Sequence, residues 1–442
     1  MTRFSWKDLP FVLAVFGFAA LGVEYLNEVF TTSTRWVFLL FLALWLIWRG
    51  EFLLPLRAGF LVPWVLSLVW YICAIFWSPA AVLSGIKVAI FALTSWTFCA
   101  GGMAWVAQRR GHACLDYLMP IAGLAVLSGM VGTATFDVSS RINRGLDYQN
   151  LAGHPNFIGL LATLGIPFAL YSTIARQPGR GLSNNQLLAF CLVALLLFIN
   201  YRMLSRAAIL CSVFVILFFL LNVKYSSIVK ISFAGFAFLV FAGVAAPSSV
   251  TTITQALIYK DIRVDDVFLS RRDPWEQTLE AAENAGLIGV GFGISAGTPD
   301  MSGGDLSFWL SRNLSSAGVG REKGNSQLAI WEETGLVGLI LYAALILNLL
   351  WLAVAASRRS SDRDIRIQLS LTRGLIVGLI AHSAFEAWWS SAGSLESANF
   401  WAVIGVHAGL LQFRRERRAS EVAPSPVPQQ VGGPGNSPAL GN

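Results

Sequence analysis

Long apolar runs, separated by charged residues, recur along this sequence and restrict what it can fold into. An α-helix needs about 20 apolar residues to cross a hydrocarbon core of roughly 30 Å, and each run supplies about 15 to 25. We therefore predict an all-α polytopic membrane protein with about 12 transmembrane helices. The predicted spans are 9–24, 30–48, 60–77, 80–107, 113–135, 151–175, 186–201, 206–222, 228–246, 334–356, 367–385 and 398–413.

The overall composition excludes several other classes of protein. Hydrophobic residues make up 55% of the chain and charged residues only 13%, against roughly 25% charged in a soluble domain. These proportions exclude a nucleic-acid-binding domain, a disulfide-stapled secreted domain and a disordered scaffold. The 5 cysteines lie in or beside apolar runs without CxxC or His/Cys ligand spacing, so we interpret them as core residues and predict no metal site.

The distribution of Lys and Arg predicts the orientation, because basic residues in short loops stay on the cytoplasmic side. With the N-terminus inside, eighteen basic residues fall in cytoplasmic segments and five in short outer loops. An even number of spans makes both termini cytoplasmic. The predicted organisation is 1–246 with spans one to nine, 247–326 as an outer loop, 327–413 with spans ten to twelve, and 414–442 as a disordered tail.

The outer loop 247–326 has the opposite charge balance to the cytoplasmic loops. It carries seven basic and ten acidic residues, net −3, so the net charge of +7 reflects membrane topology and implies no nucleic-acid partner. Loops of this length are usually functional or disordered, and we expect this one to be partly helical. Asp273 as N-cap, Pro274 at the first helical position and Glu276 predict a helix that stops at Gly286.

Two features of this loop suggest close contacts. Arg271 and Arg272 precede the predicted helix and form a candidate anion site, although pairing with Asp265 or Asp266 explains them equally well. The glycine-dense segment 286–293 lets the backbone approach a ligand or another chain segment closely. It lacks GxGxxG spacing and a flanking βαβ pattern, which argues against nucleotide binding.

Several short motifs, taken in order, resemble the O-antigen ligase and O-antigen polymerase superfamily of bacterial envelope glycan enzymes. Arg206 and Leu210 fit the Arg-x-x-x-Leu motif of that family. Asn325, followed after residues 326–334 by Gly335 and then by Gly338, fits the His-[Asn/Ser/Gln]-x₉-Gly-x-x-[Gly/Thr/Val] motif except at its first position. There Gly324 replaces the ligase histidine.

The resemblance extends over roughly residues 140–345. It includes Gly153-His154-Pro155-Asn156 and the Arg272/Trp275 pair ahead of 289–293. It implies transfer of a glycan from a polyprenyl-diphosphate carrier to an acceptor hydroxyl of a glycan or glycolipid, on the periplasmic face of the bacterial inner membrane. The missing histidine leaves ligase and polymerase activity equally open, and nothing in the pattern requires a metal or a cofactor.

That chemistry suggests roles for individual residues. A diphosphate leaving group is stabilised by guanidinium groups, so Arg206 and Arg272 are the candidate catalytic arginines. Glu322, two positions before Gly324, is the preferred general base, and His154 is the next candidate. Candidate substrate-binding residues are Arg271, Arg144, Arg141, Lys87, His154, Asn156, Lys323 and Asn325.

Other interpretations remain open. Glu332 and Glu333 are either alternative bases or residues that cap or solvate the helix leading into span ten. His154 can also be interpreted as a histidine at the membrane interface. Lys87 can also be interpreted as a lysine whose side chain extends to the membrane surface. A secondary transporter of a small anion or solute is the alternative function. The sequence has no half-to-half repeat, and its polar residues cluster on the outer face and not at the midplane, which favours the transferase.

Overall fold

The computed structural model describes residues 6–26, 32–135, 155–174, 184–203, 205–222, 269–296, 323–355, 362–391 and 393–422. Within these ranges the regular secondary structure is helical throughout, as predicted. The α-helices are α1 Leu9–Ala20, α2 Thr32–Trp48, α3 Leu61–Cys73, α4 Ala81–Gln108, α5 Met119–Thr135, α6 Pro155–Ile174, α7 Asn184–Met203, α8 Arg206–Asn222, α9 Leu269–Ala285, α10 Ser326–Ala355, α11 Arg363–His382 and α12 Leu395–Val422.

Several of these helices have the length and composition of membrane spans. Five apolar stretches are long enough to cross a bilayer, and they are Ala81–Gln108, Cys114–Val131, Pro155–Thr173, Gln186–Met203 and Ser326–Val354. Three shorter apolar helices cover Ser33–Trp48, Leu61–Trp77 and Arg206–Leu221. Predicted span nine, 228–246, lies outside the described residues, and the count of about twelve spans stays a prediction.

Small residues allow the long helices to pack closely. A methyl group on Gly102 of α4 would lie 2.6 Å from the Ala402 carbonyl oxygen of α12, and Gly405 faces the Cys99 carbonyl in the same way. On α11, a methyl group on Gly374 would lie 2.6 Å from the α carbon of Val215 in α8. Backbones that approach this closely gain dispersion contacts, which drive helix association where lipid replaces water.

One end of the bundle gathers charged residues from segments predicted to be cytoplasmic. Arg109, which follows α4, forms an ion pair with Asp8 at 3.1 Å. His112 contacts Asp364, at the start of α11, at 3.2 Å. Segments that the positive-inside rule assigns to one side therefore meet in space, while the side of a membrane that they face stays a prediction.

The opposite end of the same helices holds the described part of the predicted outer loop. Helix α4 runs from this end to Arg109, and α11 runs from Asp364 back to it. Helix α9 ends at Ala285 before Gly286, which has φ +65°, so the predicted C-terminus is confirmed. The predicted start was wrong: α9 begins at Leu269, with Pro274 inside it.

This earlier start changes the environment of the arginine pair. Arg271 and Arg272 lie in the first turn of α9 and do not precede it. Arg272 donates to Glu276 at 2.8 Å, one helical turn along, so Glu276 has an ion-pair partner instead of completing a capping box at Asp273. The prediction failed because it used only the Asp273-Pro274 pattern, whereas the residues before Asp273 are also helical.

Candidate functional site

The glycine-dense segment 286–293, called the glycine segment below, inserts into a break in α10. The break lies at Gly335, whose φ of 71° and ψ of −174° are open to glycine almost alone. In an unbroken α-helix, the Leu336 and Val337 amides would donate hydrogen bonds to the Glu332 and Glu333 carbonyls. The break removes these two bonds. Each of these four groups needs a new partner if it is buried.

The glycine segment supplies all four partners. The Leu336 and Val337 amides donate to the Gly286 and Leu287 carbonyls, both at 3.2 Å. In return, the Glu332 and Glu333 carbonyls accept bonds from the next part of the segment, from the amides of Val290 at 3.1 Å and Gly291 at 2.7 Å. The exchange explains why the sequence is rich in glycine at this point.

The approach of the two backbones leaves no room for a side chain. A methyl group on Gly335 would collide with the Leu287 carbonyl oxygen, and one on Gly289 would lie 2.5 Å from the Glu333 carbonyl. The prediction that this segment approaches another part of the chain closely is therefore confirmed by its contact with α10.

A buried ion-pair cluster lies beside this junction. Lys323 contacts Glu333 at 2.6 Å and Glu332 at 3.4 Å, and the three side chains, called the Lys323 cluster below, are 9%, 2% and 0% exposed. Glu333 also accepts from the Gly293 amide at 2.8 Å and the Ser390 hydroxyl at 2.9 Å. These hydrogen bonds satisfy the carboxylate that burial would otherwise destabilise.

The second carboxylate of the Lys323 cluster extends these contacts to the end of the described loop. Glu332 accepts a hydrogen bond from the Ala296 amide at 2.7 Å. Adjacent glutamates of α10 therefore bind two successive parts of the chain that follows α9. In the structure, Glu332 and Glu333 hold the segment that follows α9 against α10. These contacts indicate a structural function for the two glutamates and not the solvation of a helix end.

Helix α4 holds the glycine segment from its other side. The Lys87 ammonium donates to the Gly293 carbonyl, and the Ser84 hydroxyl donates to the Phe292 carbonyl at 3.0 Å. The Phe292 ring is buried and stacks on Tyr71 with centroids 4.4 Å apart. Lys87 thus binds protein backbone at a depth where we expected it to bind phosphate or extend to the surface.

Asn325 and Ser326 join the start of α10 to the end of α11. The Asn325 side chain accepts from the Leu328 amide at 2.9 Å, as an N-cap does, and donates to the Ala384 carbonyl at 3.0 Å. The Ser326 hydroxyl donates to the Glu386 carbonyl at 2.9 Å. The motif residue Asn325 therefore positions the helix that carries Glu332 and Glu333.

Gly324, at the position where the ligase-like motif would place a histidine, has a backbone conformation that disfavours most side chains. Its φ is +61°, in the left-handed region, and its carbonyl accepts a bond from the Trp275 indole at 3.0 Å. A methyl group there would contact the Trp275 ring at 3.4 Å. The Trp275 ring of α9 therefore packs directly against the position where a ligase carries its histidine.

The two candidate catalytic arginines belong to different parts of this end. Arg272 is 59% exposed and pairs with Glu276, which is 63% exposed. Arg206 is the first residue of α8 and is half-buried. The preceding Ser205 lies beside Gly159 in the first turns of α6.

Asn156 connects α6 to the rest of the site. Its amide donates to a Glu386 carboxylate oxygen at 2.7 Å, and Glu386 in turn accepts from Ser326 through its carbonyl. A continuous set of contacts therefore runs from the start of α6 to the start of α10.

Several predicted site residues lie outside the described residues. These are Glu322, Arg141, Arg144 and His154, and nothing is described of the Arg271 side chain. Sequence reasoning did not identify Ser390, because a lone serine in a short Trp-Trp-Ser-Ser segment has no distinctive pattern. It assigned Glu332 and Glu333 only to capping, solvation or an alternative base, although two adjacent glutamates in an apolar run are a signal of buried ion pairing.

Comparison with known proteins adds no further assignment. No protein-family model matches this chain, and no curated protein matches it. The resemblance to the ligase and polymerase superfamily therefore rests on the motif residues themselves.

Proposed function

We propose that this protein is a glycan transferase of the O-antigen ligase or polymerase type. It moves a saccharide from a polyprenyl-diphosphate carrier to a hydroxyl of a glycan or glycolipid acceptor. One observation carries the proposal: the residues of the ligase-like motif, Asn325 and Gly335, belong to an assembly that binds α9 and the glycine segment to the ends of α4, α10 and α11. The hydrogen bonds that hold the described part of the loop to the helices support a preorganised site at this end of the bundle.

The proposed chemistry needs positive charge at the carrier diphosphate. As the glycosidic bond to phosphate breaks, negative charge develops on the phosphate oxygens, and guanidinium groups stabilise it through two parallel hydrogen bonds. Arg272 is exposed, so its ion pair with Glu276 can exchange for a phosphate at little cost. Arg206 approaches the same end of the molecule from α8 and is the second proposed phosphate ligand.

The acceptor hydroxyl loses its proton to a base, and we propose Glu322 for this role. The buried carboxylates of Glu332 and Glu333 are already engaged with Lys323 and with backbone amides, which makes them poor proton acceptors. Glu322 directly precedes Lys323 in the chain.

The proposed setting is the bacterial inner membrane, crossed by about twelve helices. In this arrangement the loop 247–326 faces the periplasm and both termini face the cytoplasm. The clustering of Asp8, Arg109, His112 and Asp364 at the other end of the bundle supports it, because these residues belong to segments that share the predicted cytoplasmic side.

A transporter of a small anion or solute is the second candidate function. The observation in its favour is the Lys323 cluster, since buried ionisable groups in membrane proteins often mark solute pathways. Against it, the cluster binds loop backbone at one end of the bundle, whereas transporter sites lie near the midplane.

A deletion strain distinguishes the two functions. If the protein is a transferase, its loss depletes one envelope polysaccharide and causes the corresponding lipid-linked glycan to accumulate. Unchanged glycans together with altered solute uptake would support the transporter and contradict our proposal.

A further inference from the structure

A cavity of about 320 Å³ opens at the end of the bundle where the predicted cytoplasmic segments meet. It lies at the opposite end from the glycine segment and does not depend on the proposed function. Its inner wall is mainly apolar, with Met103 of α4, Leu349 and Leu352 of α10 and Ile404 of α12. Its volume falls within the range of small-molecule sites.

Two arginines stand at the mouth of this cavity. Arg57, at the end of a short 3₁₀ helix before α3, and Arg415, near the end of α12, are both exposed and both line the cavity. Neither forms an ion pair with a carboxylate among the residues that the structure describes. Glu416 also lines the mouth, and it accepts a hydrogen bond from Gln412 at 2.8 Å.

The surroundings of the mouth are strongly basic. Arg414, Arg417 and Arg418 follow one another closely on the same end of α12, and Arg417 pairs with Asp362 at 2.6 Å. Burial, together with the positive charges of Arg418 and Arg415, lowers the pKa of Arg414. Such an excess of positive charge attracts an anion.

The cavity is therefore amphipathic along its length. His407 lies deep in the wall, buried and bound to the Thr372 hydroxyl at 2.8 Å, and Arg415 lies two turns further along α12, about 12 Å away by the helical rise. A charged mouth above an apolar interior suits a molecule with an anionic head and a hydrocarbon chain. Water alone would find few hydrogen-bond partners in the interior.

We propose that this cavity binds an anionic phospholipid, with the headgroup phosphate at Arg57 and Arg415 and an acyl chain between α4, α10 and α12. Basic pockets between transmembrane helices on the cytoplasmic side are suited to such headgroups because inner-leaflet lipids carry negative charge. The lipid would fill the space between these helices and stabilise their packing.

The test titrates purified full-length protein in a neutral detergent with phosphatidylglycerol or phosphatidylethanolamine of identical acyl chains, and follows the thermal unfolding temperature. Phosphatidylglycerol should raise this temperature at concentrations about tenfold lower than phosphatidylethanolamine. Soluble glycerol phosphate, tested in parallel, should have little effect because it lacks the chain. Equal effects of the two lipids, or saturable stabilisation by glycerol phosphate alone, would overturn the proposal.

Three variants assign the site. Arg57→Gln with Arg415→Gln should weaken the response to phosphatidylglycerol about tenfold or more. Ala408→Leu, which narrows the cavity without a change of charge, should weaken the response to both lipids. Arg418→Gln, an exposed arginine on the same helix that does not line the cavity, is the control for general positive charge and should weaken the response by no more than about twofold.

Each variant is first melted without lipid, so that a folding defect is separated from a binding defect. Because Arg57 and Arg415 are exposed, the double variant should melt within a few degrees of the wild type. An unchanged response in this double variant, or an equal loss in Arg418→Gln, would show that the lipid acts elsewhere.

Discussion

Lys323 forms ion pairs with both Glu332 and Glu333, and all three side chains are buried. Replacing Lys323 by Met keeps most of the apolar volume but removes the ammonium group that contacts both buried carboxylates. Loss of one partner from a buried ion pair is strongly destabilising, so we expect Lys323→Met to lower the free energy of unfolding by about 3 kcal/mol. Denaturant unfolding in detergent, monitored by tryptophan fluorescence, measures this change.

The control for this prediction is the exposed pair of Arg272 and Glu276. Because both side chains are mostly in solvent, Glu276→Gln should change the free energy of unfolding by no more than about 0.5 kcal/mol. If Lys323→Met were as mild as this control, the Lys323 cluster would not hold the loop on α10.

Gly324 is the second residue with a specific expectation. Its left-handed φ costs an ordinary residue about 1 to 2 kcal/mol, while asparagine adopts this region more readily. Gly324→Ala should therefore lower thermal stability more than Gly324→Asn, although alanine is the smaller side chain. Equal losses, or a larger loss for asparagine, would mean that packing against Trp275 decides the effect and the backbone conformation does not.

For individual residues, the sequence predicted some features of the site and missed others for a clear reason. The departure at Gly324 was visible, because the motif defines that position. Its positive φ was not visible, since glycine is compatible with many backbone conformations and the bond that its carbonyl accepts comes from Trp275 of α9. The pairing of Glu332 and Glu333 with Lys323 was not visible either, because the sequence does not show that these side chains are buried beside the glycine segment.

At the scale of elements, the junction between α10 and the glycine segment has the clearest consequence. Gly335→Ala should displace the segment, because the new methyl group meets the Leu287 carbonyl and the backbone conformation excludes alanine. The amides of Val290 and Gly291, which donate across the junction, should then exchange with solvent much faster. Hydrogen–deuterium exchange with mass spectrometry measures this.

Gly286→Ala is the matched control for that variant. Gly286 also has a positive φ, of +65°, but a methyl group there meets nothing within 4 Å. It should cause backbone strain of about 1 kcal/mol without opening the junction. Equal exchange of Val290 in the two variants would contradict the docking described here.

Local sequence patterns predicted where the helices lie better than they predicted where a helix begins or breaks. Apolar runs located α1 to α8 and α10 to α12, since each run has the length of a helix. Gly286 marked the end of α9 correctly, whereas Asp273-Pro274 misplaced its start. The break at Gly335 was not predicted, because the glycine occurs inside an apolar run and its cause is a distant segment.

For the whole molecule, the orientation of the chain in the membrane can be tested. Basic residues predict that 247–326 faces the periplasm and that both termini face the cytoplasm. Reporter fusions after Gly303 and after Gly432 should therefore give a periplasmic and a cytoplasmic signal, respectively. A fusion within the loop 356–362, which should also be cytoplasmic, is the internal control. A cytoplasmic signal at Gly303 would reverse the orientation and remove the proposed site from the periplasm.

We propose that this protein transfers a glycan from a polyprenyl-diphosphate carrier with the help of Arg206 and Arg272. To test this, purified wild-type, Arg206→Ala, Arg272→Ala or Glu276→Gln protein is added to membranes of the deletion strain. The amounts of lipid-linked glycan, glycosylated acceptor and released polyprenyl diphosphate are then measured. We expect transfer by the wild type and by Glu276→Gln. Folded Arg206→Ala and Arg272→Ala should lose transfer by about 10² or more, and lysine at either position should restore it in part. Full transfer by both alanine variants, or none by folded wild-type protein, would contradict the proposal.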